Sequence, residues 1–450
     1  MFQKARRIPS QNHLGLPVVS FTAGPAGQAG MVLFSSLLLA SSVATTPGPV
    51  VHTDDGPIQG FVDSGVTLYH GVPFAAPPVG ARRWRLPVRP NPWTETLQTT
   101  DIEAICPQWD VVKAEHEGSE DCLYLSVYVP AACSPTAPCA VMQWIHGGAW
   151  IEGSNSKLDG THLAATYGVI IVAANYRLDA LGWLALGELQ HESQTAQYGN
   201  YGLTDQTLAL RWTQRNIAQF GGNPDAVTIF GESAGGFSVC QHLTSRASNG
   251  LFSRAIIESG DCDGPWLIVD GKDAKSFGDV FATDVGCPDI GDAAQRLECL
   301  RELPLRQVLV PYYEWICALA RNSTMDPWCQ EPSDKQRHQR RLDAAGRHAL
   351  AGSRGQRVGG WPGRRPPFAP IGGFVAVVDG SDEGLHEPPL ASMLKGDINT
   401  SPKGEPISVL LGTNTDELAA FIVAMPVVFH GVKVRARLRA DSRPDATAMT

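Results

Sequence analysis

Val227-Thr228-Ile229-Phe230-Gly231-Glu232-Ser233-Ala234-Gly235-Gly236 decides how this chain is read: a β-branched and aromatic run breaks at glycine, presents one serine, and breaks at glycine again. The pattern is G-x-S-x-G, in which a strand turns sharply into a helix and exposes the serine at the turn. Small residues at Gly231 and Gly235 let the backbones pass closely enough to hold Ser233 in a strained conformation. Phe237, Cys240 and Leu243 follow at the spacing of a helix packed on a sheet. The same five-residue pattern also arises by chance in glycine-rich chains, so its flanks carry the argument.

Upstream, Ala140-Val141-Met142-Gln143-Trp144-Ile145 has the length and composition of a strand and runs into His146-Gly147-Gly148-Ala149-Trp150. Backbone amides on such a turn can converge on the oxygen that becomes negative when a carbonyl is attacked, although a glycine pair alone also ends many strands. Val169 to Asn175 is a continuous apolar run suited to a central parallel strand. A helix follows with Leu203, Leu210 and Ile217 on one stripe, stopped by Gly221-Gly222. A further strand is expected at Ala255 to Gly260. Alternating strands and helices predict an α/β fold with a mainly parallel central sheet and helices on both faces. In such sheets ligands bind beyond the carboxyl ends of the strands, where Ser233 and Gly148 both fall. Val51 to Leu68 reads as a hairpin, and the proline-rich run Gly71 to Gly80 as an irregular loop.

The 450 residues carry a formal charge of -9, which argues against general nucleic-acid binding, and 43% of them are apolar, which suits a sizeable core. Ten cysteines point to an oxidising compartment. Met31 to Ala40 has the length of a signal-peptide apolar region, too short for a stable membrane span, and Ser42-Val43-Ala44 offers a small-x-small cleavage site. Secretion through a signal peptide is therefore expected, and Asn322 and Asn399 stand in glycosylation sequons. No His/Cys/Asp cluster has ligand spacing, so neither a metal nor an organic cofactor is implied.

Taken together, these segments resemble a type-B carboxylesterase, the α/β-hydrolase family of cholinesterases, liver-type carboxylesterases and certain fungal lipases. The resemblance rests on Gly71 to Gly80, Ser119-Glu120-Asp121-Cys122-Leu123-Tyr124-Leu125, His146 to Trp150, Asn175-Tyr176-Arg177-Leu178, Gly199 to Gln206, and Phe220 through Gly236, in order over about residues 50 to 316. It implies that Ser233 is the acylated nucleophile, that the amides of Gly148, Ala149 and Ala234 form the oxyanion hole, and that the substrate is a small-molecule or lipid ester. It also implies disulfides Cys106–Cys122 and Cys287–Cys299, with Cys133 and Cys139 as an extra bridge; Cys240, Cys262, Cys317 and Cys329 find no place in the template. After an Arg-rich stretch near 330–370 the resemblance resumes, and Gly412-Thr413-Asn414-Thr415-Asp416-Glu417 is similar to the segment whose glutamate orients the catalytic histidine.

The histidine itself departs from the template. In the family it follows the glutamate by roughly a hundred residues, and this sequence ends at Thr450; His430-Gly431 resembles the family's H-G segment but stands thirteen residues after Glu417. The expected layout is an N-terminal extension plus signal peptide over 1–44, a hydrolase domain over 46–424 with the insert at 330–370 and its C-terminal part truncated, and a basic tail over 425–450. Three functions stay open at this point: an ester hydrolase working through an acyl-serine, a binding or adhesion protein on an inactive hydrolase scaffold, and an incomplete gene product. Trp150, Trp266 and Phe237 could border the substrate gorge or be core aromatics; which ester is taken, and the oligomeric state, are not legible.

Overall fold

The computed structural model describes residues 46–102, 104–110, 115–262, 268–309 and 376–412, all within one unit, Thr45–Thr450. Glu417, His430, Trp266, Asn322 and the apolar run at 31–44 lie outside the described residues.

Strands form where β-branched and aromatic residues run together. In chain order they are β1 (Thr46–His52), β2 (Pro57–Asp63), β3 (Val66–Pro73), β4 (Leu97–Gln98), β5 (Gln108–Asp110), β6 (Glu115–Glu117), β7 (Tyr124–Pro130), β8 (Cys139–Ile145), β9 (Ile170–Ala174), β10 (Gly222–Glu232), β11 (Arg254–Glu258), β12 (Ile268–Asp270), β13 (Ala376–Val378) and β14 (Ser408–Gly412). Ten of them make one sheet in the order β1-β2-β3-β7-β9-β8-β10-β11-β14, with β4 beside β2. From β9 through β8, β10 and β11 to β14 every pairing is parallel, whereas β1, β2, β3, β7 and β9 pair antiparallel. The parallel half carries the serine turn.

Helices cover both faces. Thr161–Tyr167 packs its Ala164 with Val66, Leu68, Tyr128 and Ile171 on one side. On the other, Tyr201–Asn216 and Ala234–Thr244 bury Leu203, Leu210, Trp212, Val239 and Leu243 against Val127, Val141, Val172, Val227 and Ile229. The first of these two helices ends in a 3-10 turn, Ile217–Phe220, closed by Gly221 at φ 77°.

Two local expectations are corrected. The hairpin expected between Val51 and Leu68 is a three-stranded meander, because Asp54-Asp55-Gly56 makes a second turn in which Thr53 Oγ1 donates to the Gly56 carbonyl. The run at Gly71 is not loop from its start: β3 continues to Pro73, pairing Val72 with Leu125 after a bulge at Gly71 (φ 65°).

Four disulfides join Cys106 to Cys122, Cys133 to Cys139, Cys240 to Cys262 and Cys287 to Cys299, and no described cysteine is free. The third had no sequence signal, since its partners meet only once the helix after Ser233 is laid beside the loop after β11. Asn399 is a poor glycan acceptor in this fold. It is 9% exposed, and its Nδ2 donates to the carbonyls of His242 and Ser245 at 2.9 and 2.5 Å.

Asn200 ties the distant segment 376–412 to the core. It sits at φ 49°, a left-handed position that asparagine tolerates. Its Nδ2 donates to the Val377 carbonyl at 2.6 Å and its Oδ1 accepts from the Val377 amide at 2.8 Å, mimicking a strand partner. Asn200→Ala leaves both backbone groups buried and unpaired in addition to the φ strain, so we expect a loss on the order of 2–4 kcal/mol, read from the midpoint of urea unfolding.

Asp179 opens the buried helix Asp179–Trp183 at φ 52°. Burial pushes its carboxyl well above the usual range, outweighing the hydrogen bond it accepts from the Ala180 amide. The folded protein therefore holds this proton where the unfolded chain has released it. The contribution is fully present below about pH 4 and is lost as pH rises toward the folded value. Asp179→Asn keeps a residue suited to positive φ and removes the titration. Thermal unfolding of the variant should exceed that of the wild type at pH 7 by more than at pH 4; a pH-independent difference would remove this reading of Asp179.

Candidate active site

The site begins with the backbone at Ser233. Its φ of 55° and ψ of −122° put a non-glycine residue where few settle, at a cost of about 1–3 kcal/mol. The surroundings leave no alternative path. The Ser233 amide donates to the Glu258 carbonyl at 2.9 Å, and the Ser233 carbonyl accepts from the Phe237 amide at 3.0 Å as the helix Ala234–Thr244 starts. A Cβ on Gly231 would lie 2.5 Å from the Gly235 carbonyl carbon, and one on Gly235 would overlap the Ile145 carbonyl oxygen. Gly236 and Gly260 are pressed together in the same way. Three glycine contacts thus let the turn sit directly on the ends of β8 and β11.

The second turn comes to the same place. A Cβ on Gly147 would be 3.3 Å from Ser233 Cβ, so the run after β8 passes against the serine. Gly148, Ala149 and Trp150 all have positive φ (108°, 53° and 59°), and the Gly148 carbonyl accepts from the amides of Ile151 and Glu152, both at 3.0 Å. The structure therefore brings Ser233, which Ala234 follows, against Gly147, which Gly148 and Ala149 follow, at the carboxyl edge of the sheet. The first-turn amides of an eleven-residue helix add positive potential there.

The charges around the serine are carboxylates. Glu232 and Glu258 are in register on β10 and β11, and Glu258 is raised by its burial and by the charge of Glu232. Among the described residues no histidine ring bonds Ser233. His146 is 1% exposed, stacked on Tyr176 with centroids 4.1 Å apart, and bonded through Nδ1 to the Gly147 carbonyl; burial pushes it down to about 4. His242 lies on the helix after the serine, but both ring nitrogens are engaged, with Gln206 and Ser248, and burial pushes it down to about 3. Neither is placed to act as the base. No group of described His, Cys, Asp or Glu side chains is arranged to hold a metal.

Of the aromatics, Trp150 is fully buried against Trp183 and Phe237, so it is core and not gorge wall; Phe237 is partly buried. Sequence reasoning missed the polar groups beneath the turns, Ser238 and His242, and gave Gln206 no role. Buried polar side chains on helices carry no motif of their own.

Residues 47–329 match the model of the carboxylesterase family. The chain is 40% identical over 302 residues to the pyrethroid hydrolase Ces2e of Rattus norvegicus, covering 63% of this chain and 52% of that protein. It is 40% identical over 291 residues to the acetylcholinesterase of Electrophorus electricus, covering 60% and 44%, and 39% identical over 292 residues to the cocaine esterase of Homo sapiens, covering 61% and 50%. The structure of a PNB esterase superposes with a TM-score of 0.59 at 30% identity, covering 84% of this chain and 65% of that one. The chain spans about half the length of these curated relatives. With a serine turn and a glycine turn converging at the edge of an α/β-hydrolase sheet, and a family model matched over more than half its length, this protein belongs to the carboxylesterase family.

Proposed function

We propose that the protein hydrolyses carboxylic esters through an acyl-Ser233 intermediate. The observation that carries this is the strained Ser233 backbone held against Gly147, the residue that opens the turn bearing Gly148 and Ala149, which supports a reading in which a presented hydroxyl works beside backbone amides. In this reading Ser233 Oγ attacks the ester carbonyl and gives its proton to an imidazole, for which His430, outside the described residues, is the candidate that the sequence offers. The amides of Gly148, Ala149 and Ala234 stabilise the resulting oxyanion, each by roughly 3–4 kcal/mol. The alkoxide leaves with the proton returned by the base, and water then cleaves the acyl-serine.

Glu417 is assigned to orient that imidazole. Its anchor supports this: Gly412 is in register with Glu258, which is in register with Glu232, so β14 ends two strand spacings, about 10 Å, from the serine's strand. Five further residues reach up to about 18 Å. The paired cysteines favour folding in the secretory pathway after removal of the segment ending at Ala44. No described helix is long and apolar enough to cross a membrane. A small-molecule or lipid ester is the substrate class.

The test is hydrolysis of a short p-nitrophenyl ester by the full chain and by Ser233→Ala. The wild type should be faster by about 10⁴-fold or more, and a fluorophosphonate should label Ser233 alone. Equal rates would refute the hydrolase and favour a binding protein on this scaffold.

A further inference from the structure

Trp150 closes the glycine turn, and its indole reaches across to the serine's own helix. Its Nε1 donates to Ser238 Oγ at 2.9 Å, from a side chain with no exposed surface to one that also has none. Ser238 is five residues after Ser233 on the helix Ala234–Thr244. The hydroxyl is fixed from behind: Gln206 Nε2 donates to Ser238 Oγ at 3.3 Å, and Gln206 Oε1 accepts from His242 Nε2 at 2.9 Å. The other ring nitrogen, His242 Nδ1, meets Ser248 Oγ at 2.8 Å, which leaves the ring with no freedom to turn. From the opposite side the Trp150 carbonyl accepts from the Asp179 amide at 2.8 Å.

Resting on the esterase reading above, we propose that Trp150 is a positioning residue for the reaction: its Nε1–Ser238 bond locks the turn bearing the oxyanion amides to the helix bearing the nucleophile. The Gly148 and Ala149 amides precede Trp150 directly, and all three residues are in left-handed conformations. Two turns from distant parts of the chain must meet within a few tenths of an ångström for the amides to reach the oxygen that Ser233 generates. Apolar packing of Trp150 on Trp183 holds the ring in the core but leaves its in-plane slide unspecified. The directional N–H bond removes that slide. The bond touches no substrate, so its loss acts on the transition state and not on ground-state binding.

Trp150→Phe deletes the donor and keeps an aromatic ring; Ser238→Ala deletes the acceptor. Steady-state kinetics of the full chain on a p-nitrophenyl ester should show kcat lowered about 10- to 100-fold with KM within about twofold in each variant. The double variant should be no slower than the worse single one, because both remove the same bond. A trifluoromethyl ketone, whose adduct with serine presents an oxyanion, should bind more weakly by the same factor. Either single variant with wild-type kcat overturns the proposal, as do single effects that multiply in the double variant. A wild type no faster than Ser233→Ala removes the esterase reading, and the positioning role with it; an active wild type with unaffected variants removes the positioning role alone.

Discussion

One backbone conformation constrains the rest. Ser233 can hold φ 55° and ψ −122° only while its amide is anchored on the Glu258 carbonyl and its helix starts within touching distance of β8 and β11. Each neighbour is then determined in turn. β11 must lie beside β10 in parallel register so that Glu258 pairs with Glu232, and the residues facing the turn at Gly231, Gly235, Gly236 and Gly260 must lack a Cβ. The strain is small against the apolar surface that β10 and the helix Ala234–Thr244 bury, so the turn persists because the core on both sides over-determines it.

The antiparallel half of the sheet serves a different purpose. β1, β2, β3 and β7 extend the sheet on the side away from the serine, and β7 lies beside β9, so the parallel strands gain a flank instead of an open edge. Buried ion pairs tie the loops at the strand ends to one another and to the helices. Arg177 is 3% exposed and makes a bidentate contact with Asp205 at 2.8 Å through both Nε and Nη2, while Arg83 pairs with Glu120 and donates to the Leu303 carbonyl. Even so, burial raises the Asp205 carboxyl more than the Arg177 guanidinium lowers it, so the pair fixes geometry more than it adds stability.

Much of this was legible because it is written in residues with narrow conformational uses. Glycines flanking Ser233 and following β8 announce turns that no other residue fits, and the continuous apolar run at Ile170–Ala174 announces a strand covered on both faces. The disulfides Cys106–Cys122 and Cys287–Cys299 were expected only because the family resemblance implies them, whereas Cys240–Cys262, a meeting of helix and loop, has no counterpart in that resemblance. The stretch read as a hairpin holds two turn signals, Asp54-Asp55-Gly56 and Ser64-Gly65, and counting only one of them hid the third strand. Asn399 shows the opposite failure: a sequon is a surface rule, and the pattern itself holds no information on burial. The polar groups under the site were illegible for a related reason. Gln206, Ser238 and His242 occupy helix positions where an apolar residue would satisfy the same periodicity.

That last point bears on why the interior is polar there at all. Filling the space between the helices Tyr201–Asn216 and Ala234–Thr244 with leucine would avoid the desolvation of an imidazole, an amide and a hydroxyl, and burial already pushes His242 so far down that it is held neutral. Apolar side chains pack equally well in several neighbouring arrangements, so they set how much surface is buried but not the register of one helix against another to a fraction of an ångström. Hydrogen bonds are directional: Ser238 Oγ must accept from two donors on two different elements, and Gln206 must present oxygen to one neighbour and nitrogen to the other. Only one relative placement of the three elements satisfies them all, and any other strands a buried polar group at about 1–3 kcal/mol each. A scaffold that had only to remain folded would have no use for that selectivity, whereas one that must bring two backbone turns to a common point depends on it.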